Sequence, residues 1–435
     1  MVKKIVIVGA GPSSLLLAHY LLRRPEQYQI EIYEYRSDPR QSELSKRRTF
    51  PLSLGERGMS SLRQIAGLEE AIQAISVEMT GSMFHAKNGK SRTRQRKKPL
   101  ITLDRNELVI VLLEKLVEFS ENHRLKVYFN HRCTRVNLEE KTVIFASKSE
   151  QDKTVQSSEV TVNYDVLVGA DGARSMVRTS LLNTPMFEYQ QKYVANDYKS
   201  IFISTAHSDE ALDPQKIHVW QLQDGTTLLL LHQKDGSLNG VVHFPRHNNQ
   251  IIGLSSPEQV LNFFAENFPK VGQLISKEEA AEFLNRPPSS VLTVRCNRYY
   301  DRDSILLIGD AAHAVSPSIG QGCNAALEDV AILNHLLDEY DENWAKVLEE
   351  FTHRRIADGH ALVELGDYTL PFSIRLYVEF ILRNIFHKTL HRYFPKYVPA
   401  SIFEQISETT IPFSQILASH RNWIEKVKRS VAASH

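Results

Sequence analysis

The first 34 residues place a strand, a glycine turn, a helix and a second strand in immediate succession. Residues 2–8 are a largely apolar, β-branched run that ends at Gly9, which is typical of a buried strand in a parallel sheet. A helix is predicted over 12–23, because this leucine-rich segment begins at a proline, and a second strand is predicted over 29–34. The order of these elements predicts a βαβ unit and therefore an α/β fold.

The turn between the first strand and the helix has the composition of a phosphate-binding loop. Gly9 and Gly11 permit a tight turn and let the backbone approach a pyrophosphate at the helix N-terminus, where free N–H groups favour negative charge. Ser14 takes the third small position, and Glu34 follows it after 20 residues, where a carboxylate can accept hydrogen bonds from ribose hydroxyls. A carboxylate there disfavours a 2′-phosphate, so FAD or NAD is expected in this site rather than NADP. The alternative is a fortuitous glycine turn.

Two further buried strands are predicted to end in acidic turns. The strand over 164–170 leads into Asp171 and Gly172, although Asp171 could simply cap the next helix. The strand over 304–308 leads into Asp310, which is placed to bind a ribityl or ribose hydroxyl.

A glycine-punctuated loop follows Asp310 and opens another predicted helix. Its residues with a predicted cofactor role are Pro317, Gly320, Gln321, Gly322, Cys323 and Asn324. The backbone N–H groups and the positive end of the helix dipole are expected to face the pyrimidine edge of a flavin and to stabilise negative charge on it. The structural alternative is a C-cap followed by an N-cap. His313, in the same segment, is predicted to be a packed structural histidine and not a general base.

Composition excludes several other classes of protein. Hydrophobic residues make up 42% and charged residues 24% of the 435 positions, and the net charge is +1, as in a soluble globular protein with no global attraction to nucleic acid. The three cysteines lie far apart without a CxxC pair, which argues against a disulfide scaffold and a zinc ribbon. No apolar run is long enough for a signal peptide or a transmembrane helix, so a cytoplasmic location is expected. HExxH, P-loop and G-x-S-x-G motifs are absent from the sequence, and we nominate no metal site.

The remaining pattern divides the chain into three parts. Helix and strand patterns continue through 106–121 and 125–129, whereas alternation between about 185 and 290 predicts an antiparallel sheet. Helical patterns dominate from about 325 onward. The predicted organisation is a discontinuous nucleotide domain (1–74, 101–182 and 290–365), an inserted β-sheet substrate domain (75–100 and 183–289) and a helical C-terminal cap (366–435).

In their order and spacing, these motifs resemble those of the single-component FAD-dependent aromatic hydroxylases, the class A flavoprotein monooxygenases with the p-hydroxybenzoate hydroxylase fold. Within that family the chain is most similar to the kynurenine 3-monooxygenases. The most specific segment is 309–329, GDAAHA followed by GQG-x-NA-x-x-ED. The likeness extends over nearly the whole chain, through 8–14, 33–36, 52–58, 104–108, 130–132, 164–178, 187–193 and 354–361.

The resemblance implies a Rossmann-like FAD-binding domain, an inserted antiparallel β-sheet domain and a helical cap. It also implies that the Asp171-Gly172 turn serves both FAD and a transiently bound NADPH. The residues that it implies hold FAD are Gly9, Gly11, Ser14, Glu34, Arg36, Arg105, Cys133 (through its backbone), Asp310, Cys323 and Asn324.

In such enzymes NADPH reduces the flavin, O2 adds at C4a, and the resulting hydroperoxide transfers oxygen to an electron-rich ring. The cofactor carries the reactive chemistry, so the protein supplies binding, orientation and a dry site, and no catalytic side chain is nominated. The alternative is a flavoprotein with a repurposed site, such as a halogenase, a reductase or a non-hydroxylating pathway partner. A WxWxIP-like motif, which a halogenase would be expected to have, is absent from the sequence. The oligomeric state is left open.

The kynurenine hydroxylases are expected to bind the substrate carboxylate through an arginine and a tyrosine, and this chain departs from that pattern. Ser82 stands about where the arginine is expected, and no tyrosine occurs over 75–103. In the cap, Thr369 and about Ser401 stand where an asparagine and a tyrosine are expected. Because a serine hydroxyl cannot replace a bidentate arginine–carboxylate pair, we predict a substrate other than kynurenine, a related aromatic or indolic compound. Candidate substrate contacts are Ser82, Phe84, Tyr368 and Thr369.

Two segments have alternative interpretations. Seven basic residues fall within 87–98, which fits a solvated hairpin, a contact with the 2′-phosphate of NADPH, or docking of an acidic carrier protein or lipid surface. Interleaved aromatic residues are absent there, so nucleic-acid binding is not expected. The segment 374–394 mixes apolar and basic residues, as in a cap helix packed over the substrate site or an interfacial helix in peripheral contact with a membrane.

Overall fold

The computed structural model describes residues 2–24, 28–41, 50–87, 89–117, 123–147, 158–204, 212–247, 249–371 and 374–432. The strands in these ranges are β1 (Lys3–Val8), β2 (Tyr28–Tyr33), β3 (Pro51–Leu54), β4 (Val77–His85), β5 (Ser91–Asp104), β6 (Leu125–Tyr128), β7 (His131–Asn137), β8 (Thr142–Ser147), β9 (Ser158–Asn163), β10 (Val166–Gly169), β11 (Tyr189–Ile203), β12 (Lys216–Gln221), β13 (Thr227–His232), β14 (Leu238–Pro245), β15 (Ser289–Cys296), β16 (Tyr300–Asp301) and β17 (Ile305–Leu307).

The α-helices in the same ranges are α1 (Pro12–Leu22), α2 (Glu56–Arg63), α3 (Leu68–Ile75), α4 (Arg105–Val117), α5 (Met176–Ser180), α6 (Pro257–Asn267), α7 (Pro269–Gly272), α8 (Lys277–Asn285), α9 (Asp310–His313), α10 (Gly322–Glu339), α11 (Trp344–Tyr368), α12 (Ile374–Tyr393), α13 (Ile402–Glu408), α14 (Phe413–Ser419) and α15 (Arg421–Ala432). The helix predicted over 106–121 is α4, and residues 118–121 lie outside the described ranges.

A six-stranded sheet forms the core of the nucleotide-binding part. Its strand order is β16-β17-β10-β1-β2-β6, and all neighbours are parallel except β16 and β17. The central strand β1 has Ile5–Val8 buried on both faces, which is why its sequence is a continuous apolar run without alternation. The carboxyl ends of β1, β10 and β17 meet at one edge, where ligands bind in open α/β sheets. The strands predicted over 2–8, 29–34, 164–170 and 304–308 are confirmed.

An eight-stranded sheet contains the alternating segments of the sequence. Its order is β15-β11-β14-β13-β12-β4-β5-β3, with β12 and β4 parallel and the other neighbours antiparallel. Helices α6–α8 cover one face, where Phe264, Phe268 and Phe283 pack on the sheet. On the opposite face, the ring of Tyr198 lies 5.5 Å from that of Phe50, in the segment that leads into β3.

The eight-stranded sheet crosses the borders of the predicted domains. Strands β3 and β15 lie in the ranges assigned to the nucleotide domain, and β5 continues past residue 100, yet all three belong to this sheet. A third sheet, β7-β8-β9, lies beside the first. The division into 1–74, 101–182, 290–365 and the rest stays a prediction, and a division by sheets would move β3 and β15 to the substrate domain.

The C-terminal part is helical, as predicted. Its core joins Phe413, Trp423 and Ile406 to Leu362 and Leu365 of α11. Among the helices of the described residues, none is both long and apolar enough to cross a membrane.

Helix α12 packs on this core through one face alone. Leu376 and Phe380 are buried, whereas Leu382, Ile385 and Phe386 on the outward face are 61%, 57% and 61% exposed. The inner face therefore packs on the core of the cap, and the expectation that this helix covers the substrate site stays a prediction.

The basic stretch forms the turn and the first half of β5 in the β4–β5 hairpin, so the predicted hairpin is confirmed. It is not uniformly solvated, however. Arg96 donates from Nη2 to Ser407 Oγ of α13 at 2.8 Å, and its side chain is only 19% exposed. Lys97 pairs with Glu404 of the same helix. Part of the basic surface therefore binds the cap.

Candidate functional site

The glycine turn after β1 requires glycine and leaves a helix N-terminus open. Gly9 has φ of +98°, and a Cβ atom placed on it would lie 2.5 Å from the carbonyl oxygen of Ala170. Helix α1 begins after Gly11 without a side-chain cap from the described residues, so its first N–H groups remain available to an anion. Ser14 is fully buried, and its hydroxyl donates to the Gly11 carbonyl at 3.1 Å. The turn thus combines a left-handed glycine with an uncapped helix start, and its role in binding phosphate stays a prediction.

Glu34 lies beside this turn at the end of β2. One carboxylate oxygen accepts the N–H of Ala10 at 2.8 Å and the other accepts the N–H of Arg36 at 3.0 Å. These bonds fix the carboxylate at the sheet edge, where it is buried. The side chain of Arg36 is exposed and stacks on Tyr35.

One carboxylate oxygen of Asp171 caps a helix, and the other has no hydrogen-bond partner among the described residues. Its Oδ2 accepts the N–H groups of Met176 and Val177 at 2.7 and 3.3 Å, which is the capping role considered from the sequence. Its Oδ1 is buried without a hydrogen-bond partner among the described residues, and burial raises the pKa of this carboxyl. Gly172 has φ of +80°. Cys133 lies nearby, and burial, followed by repulsion from Asp171, raises the pKa of its thiol to about 12.

Three separate segments converge around Asp310. The guanidinium of Arg105 lies near Gly11, 3.8 Å from a Cβ placed there. Burial raises the pKa values of Asp310 and Cys323, and the positive charge of Arg105 offsets part of that increase. A Cβ placed on Gly322 would lie 3.9 Å from Asp310 Oδ1. The fold thus brings the predicted pyrophosphate turn, the predicted ribityl-binding carboxylate and the predicted pyrimidine loop to one place.

The loop from Pro317 to Asn324 ends in an uncapped helix. Gly320 has φ of +64°, and α10 starts after Gln321 with no side-chain cap among the described residues. The buried Gln321 Oε1 also has no hydrogen-bond partner there. Asn324 uses its side chain within the protein: Oδ1 accepts the Gly55 N–H at 2.8 Å, and Nδ2 donates to the Ser53 and Gly320 carbonyls. The side chain of Asn324 therefore holds the loop in place, and a direct contact with a ligand stays a prediction.

These features fit FAD at the sheet edge. Two uncapped helix starts suit the pyrophosphate and the flavin pyrimidine. The buried acceptors Asp171 Oδ1 and Gln321 Oε1 lack partners among the described residues, and buried polar groups normally have one. A model of the FAD binding domain family matches residues 3–365.

The chain belongs to this family.

Two proteins named kynurenine 3-monooxygenase illustrate the relationship of this flavoprotein to known sequences. That of Drosophila willistoni is 31% identical over an alignment of 440 positions, which covers 98% of this chain and 91% of the relative. That of Sus scrofa is 28% identical over 97% of this chain and 87% of the relative. The flavoprotein is therefore an FAD-dependent monooxygenase of the aromatic hydroxylase type.

Solved structures agree on the fold. A tetrameric form of 2-methyl-3-hydroxypyridine-5-carboxylic acid oxygenase superposes with a TM-score of 0.67 at 18% identity, covering 85% of this chain and 91% of that one. HpxO of Klebsiella pneumoniae, complexed with FAD and uric acid, gives a TM-score of 0.64 at 17% identity, covering 90% and 95%. These similarities support the p-hydroxybenzoate hydroxylase type of fold predicted from the sequence.

His313 is packed within the flavoprotein, as predicted. Its Nε2 lies 2.7 Å from Asp329 Oδ2, and it is 2% exposed. Asp329 also accepts the Gly309 N–H and the Arg355 Nε–H, each at 2.8 Å. Burial raises the pKa of Asp329, but attraction from His313 and Arg355 outweighs burial and lowers it to about 2. Asp329 is thus an ionised anchor for the turn that presents Asp310.

Sequence reasoning did not single out this anchor or its partners Arg57, Glu328, Arg355 and Asp358. The available signal was the ED pair that closes the 309–329 motif and the charged residues of 354–361. Three of these partners are charged and yet almost completely enclosed: Arg57 is 1%, Arg355 1% and Asp358 6% exposed. The side chain of Glu328 is 14% exposed.

The four candidate substrate residues fall into two separate pairs. Ser82 and Phe84 lie on β4, where Phe84 is 41% exposed. Tyr368 and Thr369 lie at the end of α11, where the Thr369 carbonyl accepts the Trp423 Nε1–H at 3.1 Å. Thr369 Oγ1 is buried without a partner among the described residues, so it could accept a ligand contact. Among the described residues no hydrogen bond or ring contact joins the two pairs, and their substrate role stays a prediction.

Proposed function

We propose that this flavin monooxygenase hydroxylates a small aromatic substrate, with NADPH as the reductant and O2 as the source of oxygen. The convergence of Gly11, Arg105, Asp310 and the start of α10 carries this proposal. The names of the full-length relatives support an aromatic, kynurenine-like or indolic substrate. A reductase, a halogenase or a non-hydroxylating partner would share the same FAD site, so the reaction itself must distinguish them.

FAD supplies the redox and oxygen-activating chemistry when it is bound. Residues of this chain orient it and exclude water. The N–H groups at the start of α10 favour negative charge near the pyrimidine edge, and Asp310, whose pKa is raised chiefly by burial, would hold a ribityl hydroxyl. The Asp171-Gly172 turn would serve FAD and NADPH, consistent with the unpartnered Asp171 Oδ1 among the described residues. No side chain has to act as a catalytic base.

We propose that the substrate differs from kynurenine, because this chain lacks the arginine that binds the carboxylate of the amino acid. The strand position that resembles the arginine site holds Ser82, and the hydroxyl of a serine cannot form two parallel charge-assisted hydrogen bonds.

The test is NADPH oxidation by the FAD-loaded protein in the presence of single aromatic and indolic compounds. A monooxygenase consumes one O2 per NADPH and incorporates one atom of isotopically labelled dioxygen into the product. A reductase oxidises NADPH without adding oxygen to the aromatic compound, and that result across the whole panel would contradict the proposal.

We also propose a peripheral contact between α12 and an anionic bilayer surface. Its outward face exposes Val378, Ile381, Leu382, Ile385 and Phe386, a larger apolar patch than scattered surface residues explain. Between residues 380 and 403 the sequence contains no aspartate or glutamate but four lysines and arginines, so the charge on this segment complements an anionic surface.

A further inference from the structure

We propose that FAD binding and docking of the C-terminal cap are thermodynamically coupled through five charged residues, four of them buried and one, Glu328, 14% exposed at its side chain. This set, called the charge network below, consists of Arg57, Glu328, Asp329, Arg355 and Asp358. It touches the flavin loop at one end and residues 411–414, at the start of α14, at the other. The inference rests on FAD binding and is independent of the substrate proposed above.

The flavin end of the network is Asp329. Its carboxylate accepts the N–H of Gly309 at 2.8 Å and contacts His313 Nε2 at 2.7 Å. Gly309 has φ of +58° and directly precedes Asp310, so the bond to Asp329 holds the turn in the conformation that directs Asp310 toward the cofactor site. A change in the position of Asp329 must therefore alter the flavin loop.

Arg355 connects Asp329 to the rest of the network. Its Nε donates to Asp329 Oδ1 at 2.8 Å, and its Nη1 donates to Glu328 at 2.9 Å and to Asp358 at 3.4 Å. The side chains of Arg355 and Asp329 are 2% and 0% exposed. Charges in such an enclosed place need their partners, because water cannot replace them. The arrangement is therefore either complete or strongly disfavoured, as a two-state element requires.

The cap closes the other end of the network at two points. Asp358 Oδ1 accepts the backbone N–H of Ser414 at 2.9 Å and its hydroxyl at 2.5 Å. Arg57 pairs with Glu328, donates from Nη2 to the Ile411 carbonyl at 2.6 Å, and lies 4.0 Å above the ring of Phe413. If residues 411–414 left the body of the protein, Arg57 and Asp358 would lose these cap contacts.

A third contact ties helix α13 of the cap to the pyrimidine loop. Asn324 Oδ1 accepts the N–H of Gly55, and a Cβ placed on Gly55 would lie 2.6 Å from the carbonyl oxygen of Ser407. The cap therefore rests on the turn that Asn324 holds. Two sites that share one bistable element bias each other equally, so FAD must stabilise the docked cap as much as the docked cap strengthens FAD binding.

Hydrogen exchange of the full-length protein with and without FAD tests this coupling. Exchange of peptides from 402–419 should slow by about 10-fold when FAD binds, within the usual range of coupling between two sites. In Asp358→Asn this FAD-dependent slowing should fall below about 3-fold, with a similarly weakened FAD Kd measured by flavin fluorescence. Ser414→Ala, which removes only the hydroxyl contact, should give a smaller change in the same direction and guards against misfolding of the first variant.

The matched control is Lys426→Ala, which breaks the exposed ion pair between Lys426 and Glu379 within the cap but leaves the charge network intact. It should keep both the FAD-dependent protection of 402–419 and the wild-type FAD Kd. A purely structural role for the network would accelerate exchange equally in the apo and FAD-bound forms of Asp358→Asn. That result, or wild-type exchange of 402–419 that FAD does not change, would overturn the proposal.

Discussion

Ser82 on β4 and Arg94 on β5 lie directly opposite each other in the antiparallel hairpin. Side chains in such a pair share one face of the sheet. The guanidinium of Arg94 lies 5.4 Å from the ring of Phe403 in α13, so it packs against the cap. This face of the hairpin therefore carries an arginine. It lies on the strand opposite Ser82, the position that resembles the arginine site of the kynurenine hydroxylases, and it packs against the cap.

The first prediction concerns kynurenine. Because position 82 has no guanidinium and Arg94 is stacked on Phe403, L-kynurenine should not stimulate NADPH oxidation by the FAD-loaded protein above the rate without substrate. The measurement is the initial rate of NADPH oxidation with product analysis by mass. Strong stimulation with one added oxygen would show that another arrangement binds the amino acid, and the argument from Ser82 would be wrong.

Gly9 gives a prediction with an internal control. In Gly9→Ala the new Cβ would lie 2.5 Å from the Ala170 carbonyl oxygen, so the turn that receives the pyrophosphate must move. Gly67 has a similar left-handed conformation, with φ of +79° and no atom within 4 Å of an added Cβ. Gly67→Ala should therefore lower the free energy of unfolding by about 1–2 kcal/mol through the left-handed conformation alone, without a steric clash.

We expect Gly9→Ala to weaken FAD binding by at least about 10-fold, equivalent to about 1.4 kcal/mol, while Gly67→Ala keeps the wild-type Kd. Flavin fluorescence titration gives both constants, and thermal unfolding of the apoproteins gives the backbone penalty. Equal FAD affinities in the two variants would contradict the role assigned to the turn after β1.

The parts of the cofactor site that were predictable are local in sequence. Each combines the end of a strand with glycines and a carboxylate within a short segment, as at Gly9, Asp171 and Asp310, and a buried parallel strand is recognisable as an uninterrupted apolar run. The charge network was not predictable in this way. Arg57 and Glu328 are 271 residues apart, and nothing in either local pattern indicates that the other residue will be its partner.

The cap contacts of the basic stretch were missed for the same reason. Seven cations within 87–98 indicate a solvated or ligand-binding surface, because charged side chains are rarely buried. Only the three-dimensional arrangement shows that Glu404, Ser407 and Glu408 of α13 face Arg96 and Lys97.

Arg96 should therefore contribute to docking of the cap. Arg96→Ala removes the hydrogen bond to Ser407 and the ion pair with Glu408 at 3.8 Å, and we expect a loss of about 1–3 kcal/mol in the free energy of unfolding. Urea unfolding and limited proteolysis of the cap measure this loss. Arg92→Ala, on the exposed part of the same strand, serves as the control and should be neutral. A neutral Arg96→Ala would mean that the contact forms without stabilising the cap.

Two half-buried histidines predict how stability depends on pH. Burial lowers the pKa of His243 to about 4 and that of His420 to about 4, with a contribution from His387 to the second. An unfolded chain protonates these side chains near pH 6.5, so it binds more protons than the folded chain between pH 6.5 and 4. Their contribution to stability is fully present above pH 6.5 and is lost as the pH falls toward 4.

Urea midpoints of the FAD-saturated protein at several pH values between 7 and 4 check this dependence. In His243→Phe the decline between pH 6.5 and 4 should become shallower, because one group no longer takes up a proton on unfolding. Above pH 7 the stabilities of the variant and the wild type should run parallel. An unchanged slope below pH 6.5 would show that His243 is accessible to protons in the folded state.

The outward face of α12 gives the last prediction. The protein should sediment with vesicles that contain phosphatidylserine and remain in solution with neutral vesicles, because Lys388, Arg392 and Lys396 add electrostatic attraction of about 1 kcal/mol each near an anionic surface. Leu382→Glu combined with Phe386→Glu should weaken the association at least about 10-fold, because it places charge on the apolar surface that would be buried in the bilayer. Ile252→Glu, at a position 58% exposed elsewhere on the surface, is the matched control and should bind as the wild type does. Equal binding by the double variant and by Ile252→Glu would contradict the proposed role of the apolar face of α12. Equal binding to neutral and anionic vesicles would contradict the proposed preference for an anionic surface.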